Sequence, residues 1–460
     1  MAQIFKPSKK SVQQNKHYSL DVIRMDHQGA GIGYVDKKPV FVEGTLPGET
    51  VVVQNIESKA KYAKAKLIKV VTSSESRIEP FCSKYHECGG CNLQHLSHED
   101  QVRTKQDALQ QLMKKYSAVT LPLSEPVLAE QQAYRRRARL ALQLNKQDNT
   151  LKFGLRAKQS KQIVDIDHCP VMVDPINELL PSLRTLVSGF KKLRELGHIE
   201  IVAVDSGVHI TLRTTAILDL TDKHKLVNYA AEKGCAIELR QGDNALELLA
   251  GTSPRYDESG LPLHFSTSDF IQINASVNHK MISQALEWLD LQPQHNVLDL
   301  FCGMGNFTLP IAKKVKQVTG IEGVSEMVEQ AKSNAQINSL ENVEFYQGDL
   351  SDSSLDTPWS RAQYDRILLD PARTGASGIV DKLSAFNAEK IVYVSCNPAT
   401  LARDSQKLNE SGYELQKIGM LDMFPHTGHL ESMALFVKSK KAKRSKTSAK
   451  KKRATKLHLS

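Results

Sequence analysis

Val297-Leu298-Asp299-Leu300-Phe301-Cys302-Gly303-Met304-Gly305-Asn306-Phe307-Thr308 carries an apolar, strand-like run into a glycine turn that opens directly onto a helix. Glycines at such a turn let the backbone approach a ligand closely. A lone G-x-G after a strand would suit any tight turn. The next apolar run, however, ends in Gly320-Ile321-Glu322, where a carboxylate can take both hydroxyls of a ribose. The two features together point to a nucleoside-bearing ligand.

A dinucleotide site wants a third glycine to admit pyrophosphate, and this turn has Phe307-Thr308 in its place. S-adenosylmethionine, with a ribose and no phosphate, fits better. A third strand runs into Gln347-Gly348-Asp349, an acid where adenine would lie, and a fourth into Leu368-Leu369-Asp370-Pro371-Ala372-Arg373. From His264 onward, strand candidates alternate with amphipathic helices: Asn296 to Asp299, Gln317 to Ile321, Val343 to Tyr346, Tyr364 to Leu369, Lys390 to Val394 and Ser432 to Val437. This is the layout of an open α/β sheet, whose ligands bind along the carboxyl edge.

Working outward, Tyr18 to Val71 alternates short apolar runs with the turn signals Gly29-Ala30-Gly31, Asp36-Lys37-Lys38-Pro39 and Leu46-Pro47-Gly48-Glu49. About five strands in a small barrel are expected, with Lys59, Lys61, Lys64, Lys66 and Lys69 either on a backbone-binding face or on a solvated edge. Ser97 with Asp100 signals a helix start, and the helix should run to about Lys115. Tyr134 to Asn145 reads as a strand carrying Arg135, Arg136, Arg137 and Arg139, which either touch phosphates or are merely solvated. Leu151 to Arg156 and His198 to Thr215 extend a mixed α+β unit.

The net charge of +10 is localised: Lys438 to Lys456 holds 11 Lys/Arg and no acid, which leaves the remainder near neutral. Such a run repels itself and stays disordered, and toward RNA it would add affinity without reading sequence. Met1 to Lys16 is polar, and no stretch approaches the roughly 18 apolar residues of a membrane span. A cytoplasmic, monomeric protein with no membrane or DNA partner is expected. Seven cysteines in that compartment argue against disulfides. Cys82, Cys88 and Cys91 form C-x5-C-x2-C, and Cys169 could fold in as a fourth thiolate, for an iron-sulfur cluster or structural zinc. A single C-x2-C knuckle favours iron-sulfur; inert free thiols are the alternative.

Val394-Ser395-Cys396-Asn397-Pro398 places a cysteine at a strand end before a helix that Asn397 can cap and Pro398 can open. Helix-end amides should lower the thiol pKa. Methylation of nitrogen or oxygen needs no thiol, whereas C5 of a pyrimidine becomes nucleophilic only after a thiolate adds at C6. The C5 proton must then leave. Glu431, in Phe424-Pro425-His426-Thr427-Gly428-His429-Leu430-Glu431, is suited to take it. A structural cysteine and a turn glutamate remain the plainer account.

Together with Ser268-Asp269-Phe270-Ile271-Gln272-Ile273-Asn274 and His429-Leu430-Glu431, these motifs resemble the S-adenosylmethionine-dependent uracil-C5 methyltransferases of RNA across nearly all of residues 17 to 437. The resemblance implies that Gln272, Phe301, Asn306, Glu322, Asp349 and Asp370 contact cofactor, with Cys396 the nucleophile and Glu431 the base. Because the chain has both barrel and cysteine cluster, it looks like the branch acting on uridine 1939 of 23S ribosomal RNA. That branch implies a TRAM/OB-like β-barrel, a central α+β domain with a 4Fe-4S iron-sulfur cluster on Cys82, Cys88, Cys91 and Cys169, and an α/β Rossmann-like methyltransferase domain. The implied boundaries are a flexible 1–16, a barrel at 17–72, a central domain at 73–96 and 125–263, a methyltransferase domain at 97–124 and 264–437, and a basic tail at 438–460. The tail departs from the family pattern. Two rival readings are a base-nitrogen methyltransferase, disfavoured by Asp370-Pro371-Ala372-Arg373, and a non-catalytic ribosome-assembly factor.

Overall fold

A computed structural model describes residues 17–117, 121–145, 147–351 and 357–439. The N-terminal segment 1–16 and the basic tail beyond Ser439 lie outside the described residues, and Lys438 belongs to the last strand rather than to the tail. The chain divides into two compact units. The first comprises Met1–His86, Gly90–Ala108 and His426–His429, and the second Glu87–Gly89, Leu109–Pro425 and Leu430–Ser460.

In the first unit, β1 (His17–Asp21), β2 (Arg24–Met25), β3 (Ala30–Val35), β4 (Lys38–Glu43), β5 (Thr50–Ser58) and β6 (Ala63–Thr72) form one sheet in the order β1-β5-β6-β4-β3-β2. That is six strands against the five expected; the two-residue β2 is too short for alternation to reveal. Leu20, Val22, Val40, Val42, Val51 and Val53 fill the interior. Gly31 and Gly33 sit where the curled sheet closes on itself. A Cβ on Gly31 would come 2.1 Å from Thr45 Oγ1, and one on Gly33 would come 2.5 Å from the Asp21 carbonyl.

The helix α1 (His98–Ser117) starts as its sequence requires, with the Asp100 amide donating to Ser97 Oγ at 3.2 Å. The loop before it holds His426–His429. Asn92 and Leu93 amides donate to the His426 carbonyl, the His426 amide donates to Gln101 Oε1, and the Gly428 amide donates to Asn92 Oδ1. A Cβ on Gly428 would fall 2.0 Å from the Gln28 carbonyl, so only glycine fits.

The second unit holds two seven-stranded sheets. The first comprises β7 (Arg137–Leu144), β8 (Leu151–Arg156), β9 (Ile163–Asp165), β10 (Leu196–Val204), β11 (Gly207–Thr214), β12 (Ala236–Gln241) and β13 (Glu247–Ala250), ordered β13-β12-β11-β10-β7-β8-β9. The single run expected from His198 to Thr215 is therefore a hairpin that turns at Asp205-Ser206. Ile176, Leu180, Leu183 and Val187 of α2 (Asp174–Ser188) and Leu226 and Ala230 of α3 (Leu220–Lys233) bury this sheet's apolar face. A small hairpin, β14 (Arg255–Glu258) and β15 (Leu261–His264), follows.

The remaining elements are α4 (Ala275–Leu289), β16 (Asn296–Leu300), α5 (Thr308–Ala312), β17 (Gln317–Glu322), α6 (Ser325–Ile337), β18 (Val343–Gln347), α7 (Pro358–Arg361), β19 (Arg366–Leu369), β20 (Lys390–Ser395), α8 (Pro398–Glu410), β21 (Tyr413–Leu421) and β22 (Glu431–Lys438). The strand order is β18-β17-β16-β19-β20-β22-β21. β16 to β20 are parallel, and β22 inserts antiparallel between β20 and β21. Every expected strand is present with ends shifted by a residue or two; β21, with the charged residues of Glu414-Leu415-Gln416-Lys417, gave no clear apolar run. The order reverses between β16 and β19, which opens a crevice at their carboxyl ends. Among the described residues no helix is long and apolar enough to cross a membrane.

The first unit also contains a buried ion pair. Glu49 is fully buried, its Oε2 accepting from Arg77 Nη2 and the Leu46 amide, each at 2.8 Å. Burial opposes ionisation, but Arg77 and the amides prevail and hold the carboxyl below its ordinary value. The contribution is present above the ordinary carboxylate range and lost as pH falls through the lowered value. Arg77→Ala should cost about 3 kcal/mol by stranding Glu49. Amide hydrogen exchange in β5 and β6 should therefore accelerate roughly a hundredfold near neutral pH, with a smaller effect in acid.

Candidate active site

Register brings the strand-edge acids together. Leu300 of β16 pairs with Ile321 on one side and Leu369 on the other, and Glu322 pairs with Gln347. Phe301 (φ 65°), Gly303 (φ 54°) and Gly305 (φ 100°) turn the chain through left-handed conformations. Phe301 is the unusual one, because a bulky residue rarely takes this conformation and those that do cluster at functional sites. Glu322 is locked beneath the turn: Oε2 accepts from the Gly303 amide at 3.1 Å, and Oε1 from the Gly323 and Val324 amides at 2.8 and 3.0 Å. Asp349 is exposed at the next edge and takes the Ser351 amide and hydroxyl.

Asn306 sits in a network that the sequence did not reveal. Its Oδ1 accepts from Tyr256 OH at 2.9 Å and Asn278 Nδ2 at 3.2 Å, while its Nδ2 donates to Asn278 Oδ1 at 3.0 Å. Glu258 accepts from Asn278 and bonds His279. Tyr256 and Asn278 come from β14 and α4, elements with no motif of their own.

Two of the strand arginines face inward. Arg136 is buried, stacks on Tyr256 at 4.5 Å and donates from Nε to the Gln272 carbonyl at 2.9 Å. Arg137 pairs with Glu200 at 2.9 Å and donates to the Thr267 and Asp269 carbonyls. Their work is to seat the 267–272 segment, whereas Arg139 is exposed and meets His198 Nδ1 at 3.1 Å.

Gln272 Oε1 and Asp299 Oδ1 are both buried without a hydrogen-bond partner. Orphaned buried acceptors are costly and rare. They suit a ligand that brings its own donors or positive charge, as the ammonium and sulfonium of S-adenosylmethionine would. Asp299 is fully buried, its other oxygen accepting from Thr308 Oγ1 at 2.5 Å. Burial chiefly, with Asp370 and Glu322 nearby, pushes it up to about 7. Burial likewise pushes Asp370 up to about 7.

Cys396 follows Ser395, which forms the last pair of the antiparallel β20–β22 ladder with Ser432, so the thiol and Glu431 each lie one residue beyond that pair at the same end of the ladder. Asn397 caps α8 as expected, its Oδ1 accepting from the Ala399 amide at 3.1 Å, with Pro398 in the first turn. The thiol pKa nevertheless moves opposite to expectation. Burial raises it, Glu431 and Asp370 raise it further, and the opposing pull of Arg373 is smaller. Desolvation and two acids outweigh a helix end whose dipole is worth little beyond its first turn.

Of the four cysteines expected as cluster ligands, Cys82 and Cys91 lie in the first unit and Cys88 and Cys169 in the second. The Cys82 amide donates to Gln94 Oε1, Cys88 bridges to Ala157, and Asn177 brackets Cys169 with bonds to its amide and carbonyl. Among the described residues no group of three or more His, Cys, Asp or Glu side chains is gathered as a metal site.

The reversed strand order, the glycine turn and the acids on successive edges define a Rossmann-like methyltransferase. The chain belongs to the tRNA (uracil-5-)-methyltransferase family, whose model matches residues 97–439, and a TRAM domain matches residues 12–68. A relative in Aliivibrio fischeri, named 23S rRNA (uracil(1939)-C(5))-methyltransferase RlmD, is 52% identical over 436 residues, 95% of this chain and all of its own length. One of the same name in Vibrio parahaemolyticus is 51% identical over 439 residues, again 95% of this chain and all of its own. Among solved structures, the Pyrococcus abyssi tRNA (uracil-54, C5)-methyltransferase with S-adenosyl-L-homocysteine superposes with a TM-score of 0.70 at 22% identity, covering 91% of this chain and all of that one. It shares the fold.

The raised Asp299 carboxyl has a measurable consequence. A carboxyl raised on folding destabilises the fold progressively as pH climbs from its unfolded value to its folded one. Asp299→Asn keeps an acceptor for Thr308 and cannot ionise. Without cofactor it should exceed the wild type in stability by about 2–4 kcal/mol above pH 7, with the gain shrinking toward pH 4. Thermal unfolding across that range checks the sign.

Proposed function

We propose that this enzyme methylates C5 of a uridine in 23S ribosomal RNA, at the position equivalent to 1939. Cys396 and Glu431, each one residue beyond the last pair of the β20–β22 ladder, with Asp370 and Arg373 near enough to act on the thiol, carry the chemistry. The target rests on full-length relatives of that name at 49–52% identity. The same reading makes the protein a cytoplasmic monomer that acts on RNA and has no DNA or membrane partner.

Gln272, Phe301, Asn306, Glu322, Asp349 and Asp370 would hold S-adenosylmethionine, which supplies an electrophilic methyl group. The Cys396 thiolate adds to C6 of a base flipped into the strand-edge crevice and makes C5 nucleophilic. Because burial and neighbouring acids oppose the thiolate, the bound base and Arg373 must help to form it. Once C5 has taken the methyl group from the sulfonium, which leaves as the neutral thioether, Glu431 removes the C5 proton, and the C5–C6 double bond re-forms as the thiolate leaves.

The domain division belongs to this reading: a barrel at 17–72, a central domain at 73–96 and 125–263, and a methyltransferase domain at 97–124 and 264–437. So does a 4Fe-4S cluster on Cys82, Cys88, Cys91 and Cys169. Its support is donor chemistry, four thiols in a protein read as cytoplasmic. Anaerobically purified protein should contain close to four irons and four sulfides per chain and lose them on Cys88→Ser; a metal-free or zinc-loaded wild type would refute the cluster.

RNA with 5-fluorouridine at the target should form a covalent adduct mapped to Cys396, since fluorine cannot leave as a proton. Cys396→Ala should form none and lose all turnover. Glu431→Gln should lower turnover by roughly 10²–10⁴ while trapping methylated adduct on ordinary RNA. Turnover by Cys396→Ala would exclude the mechanism.

A further inference from the structure

Asp404 lies on α8, two turns beyond Cys396, and is fully buried. A buried carboxylate is tolerated only when donors surround it. Here Oδ2 accepts from Tyr393 OH at 2.7 Å and from the Ala376 amide at 2.9 Å, and Oδ1 from Arg403 Nε at 2.8 Å. Tyr393 is on β20, three residues before the thiol. Ala376 is in the segment that follows Asp370. Arg403 Nη2 donates to the Thr374 carbonyl and Asn397 Nδ2 to the Arg373 carbonyl, each at 3.0 Å. Gly375, at φ 80°, passes so close that a Cβ would lie 2.7 Å from Asp404 Oδ2.

We propose that Asp404 is a positioning residue, its carboxylate clamping the 373–376 segment onto the strand and helix that flank Cys396 so that Arg373 and Asp370 face the nucleophile in one fixed arrangement. Only a carboxylate suits the centre, because every group around it donates; an Asn would turn an NH2 toward another donor. The groups facing Cys396 are Glu431 from β22, Asp370 from the end of β19 and Arg373 from the clamped segment, and Arg373 is the cation among them. Loosening the clamp removes the cation that favours thiolate.

The inference rests on Cys396 as nucleophile, and the test separates the two. Full-length wild type, Asp404→Asn and Tyr393→Phe are compared in adduct formation on 5-fluorouridine RNA, KM for S-adenosylmethionine, thermal midpoint, and the pH dependence of iodoacetamide alkylation at Cys396 read by peptide mass. In Asp404→Asn, adduct formation should slow by roughly tenfold or more with KM within about twofold, and the alkylation curve should move to higher pH. Tyr393→Phe should shift both the same way by less. A folded Asp404→Asn with wild-type adduct rate and alkylation curve overturns the proposal, and if that variant does not fold, an unchanged Tyr393→Phe overturns it. A wild type that forms no adduct at Cys396 overturns the nucleophile reading as well.

Discussion

The antiparallel pairing of β22 with β20 is the constraint on which the proposed catalytic arrangement depends. β20 delivers Cys396 at its carboxyl end. A further parallel strand would enter at the opposite end of the sheet and carry Glu431 away from the thiol. Because β22 runs the other way, its first residue arrives at the edge where β20 finishes, and the Ser395–Ser432 pair sets the rung. A slip of one residue would turn Glu431 to the other face.

The same edge concentrates charge of one sign. Asp370 and Glu431 act on the Cys396 thiol, Asp370 and Glu322 act in turn on Asp299, and burial makes the negative charges of Asp299 and Asp370 harder to hold. Glu322 is stabilised by three backbone amides, whereas Asp299 and Asp370 are pushed toward neutrality. An edge of this kind favours a cationic ligand and opposes a resting thiolate at Cys396, so under the proposed mechanism the thiol would become competent only once the site is filled and Arg373 is in place. A helix end favours thiolate, but burial and two neighbouring acids outweigh it at Cys396.

The arginines show how burial redefines a residue. Arg136 and Arg137 are indistinguishable in sequence from phosphate-binding residues, yet both face inward and seat the segment bearing Gln272 through its carbonyls. The elements around Asn306 follow the same rule: Tyr256, Asn278 and Glu258 act through hydrogen bonds between positions distant in the chain.

By itself the sequence determined what is local. The glycine turn after β16, the Asn397-Pro398 start of α8, the Ser97 start of α1 and the strands from β16 to β20 all follow from steric and hydrogen-bonding preferences of neighbouring residues. Apolar periodicity and acids at strand ends made the sheet and its ligand edge legible. Tertiary structure alone decided strand order, the hairpin between β10 and β11, the placing of β21, the inward turn of Arg136 and the burial of Asp404. It also decided the direction of the Cys396 pKa. These outcomes depend on which distant groups share a low-dielectric neighbourhood, and desolvation and Coulomb energies are set by distance in space, which residue spacing does not encode.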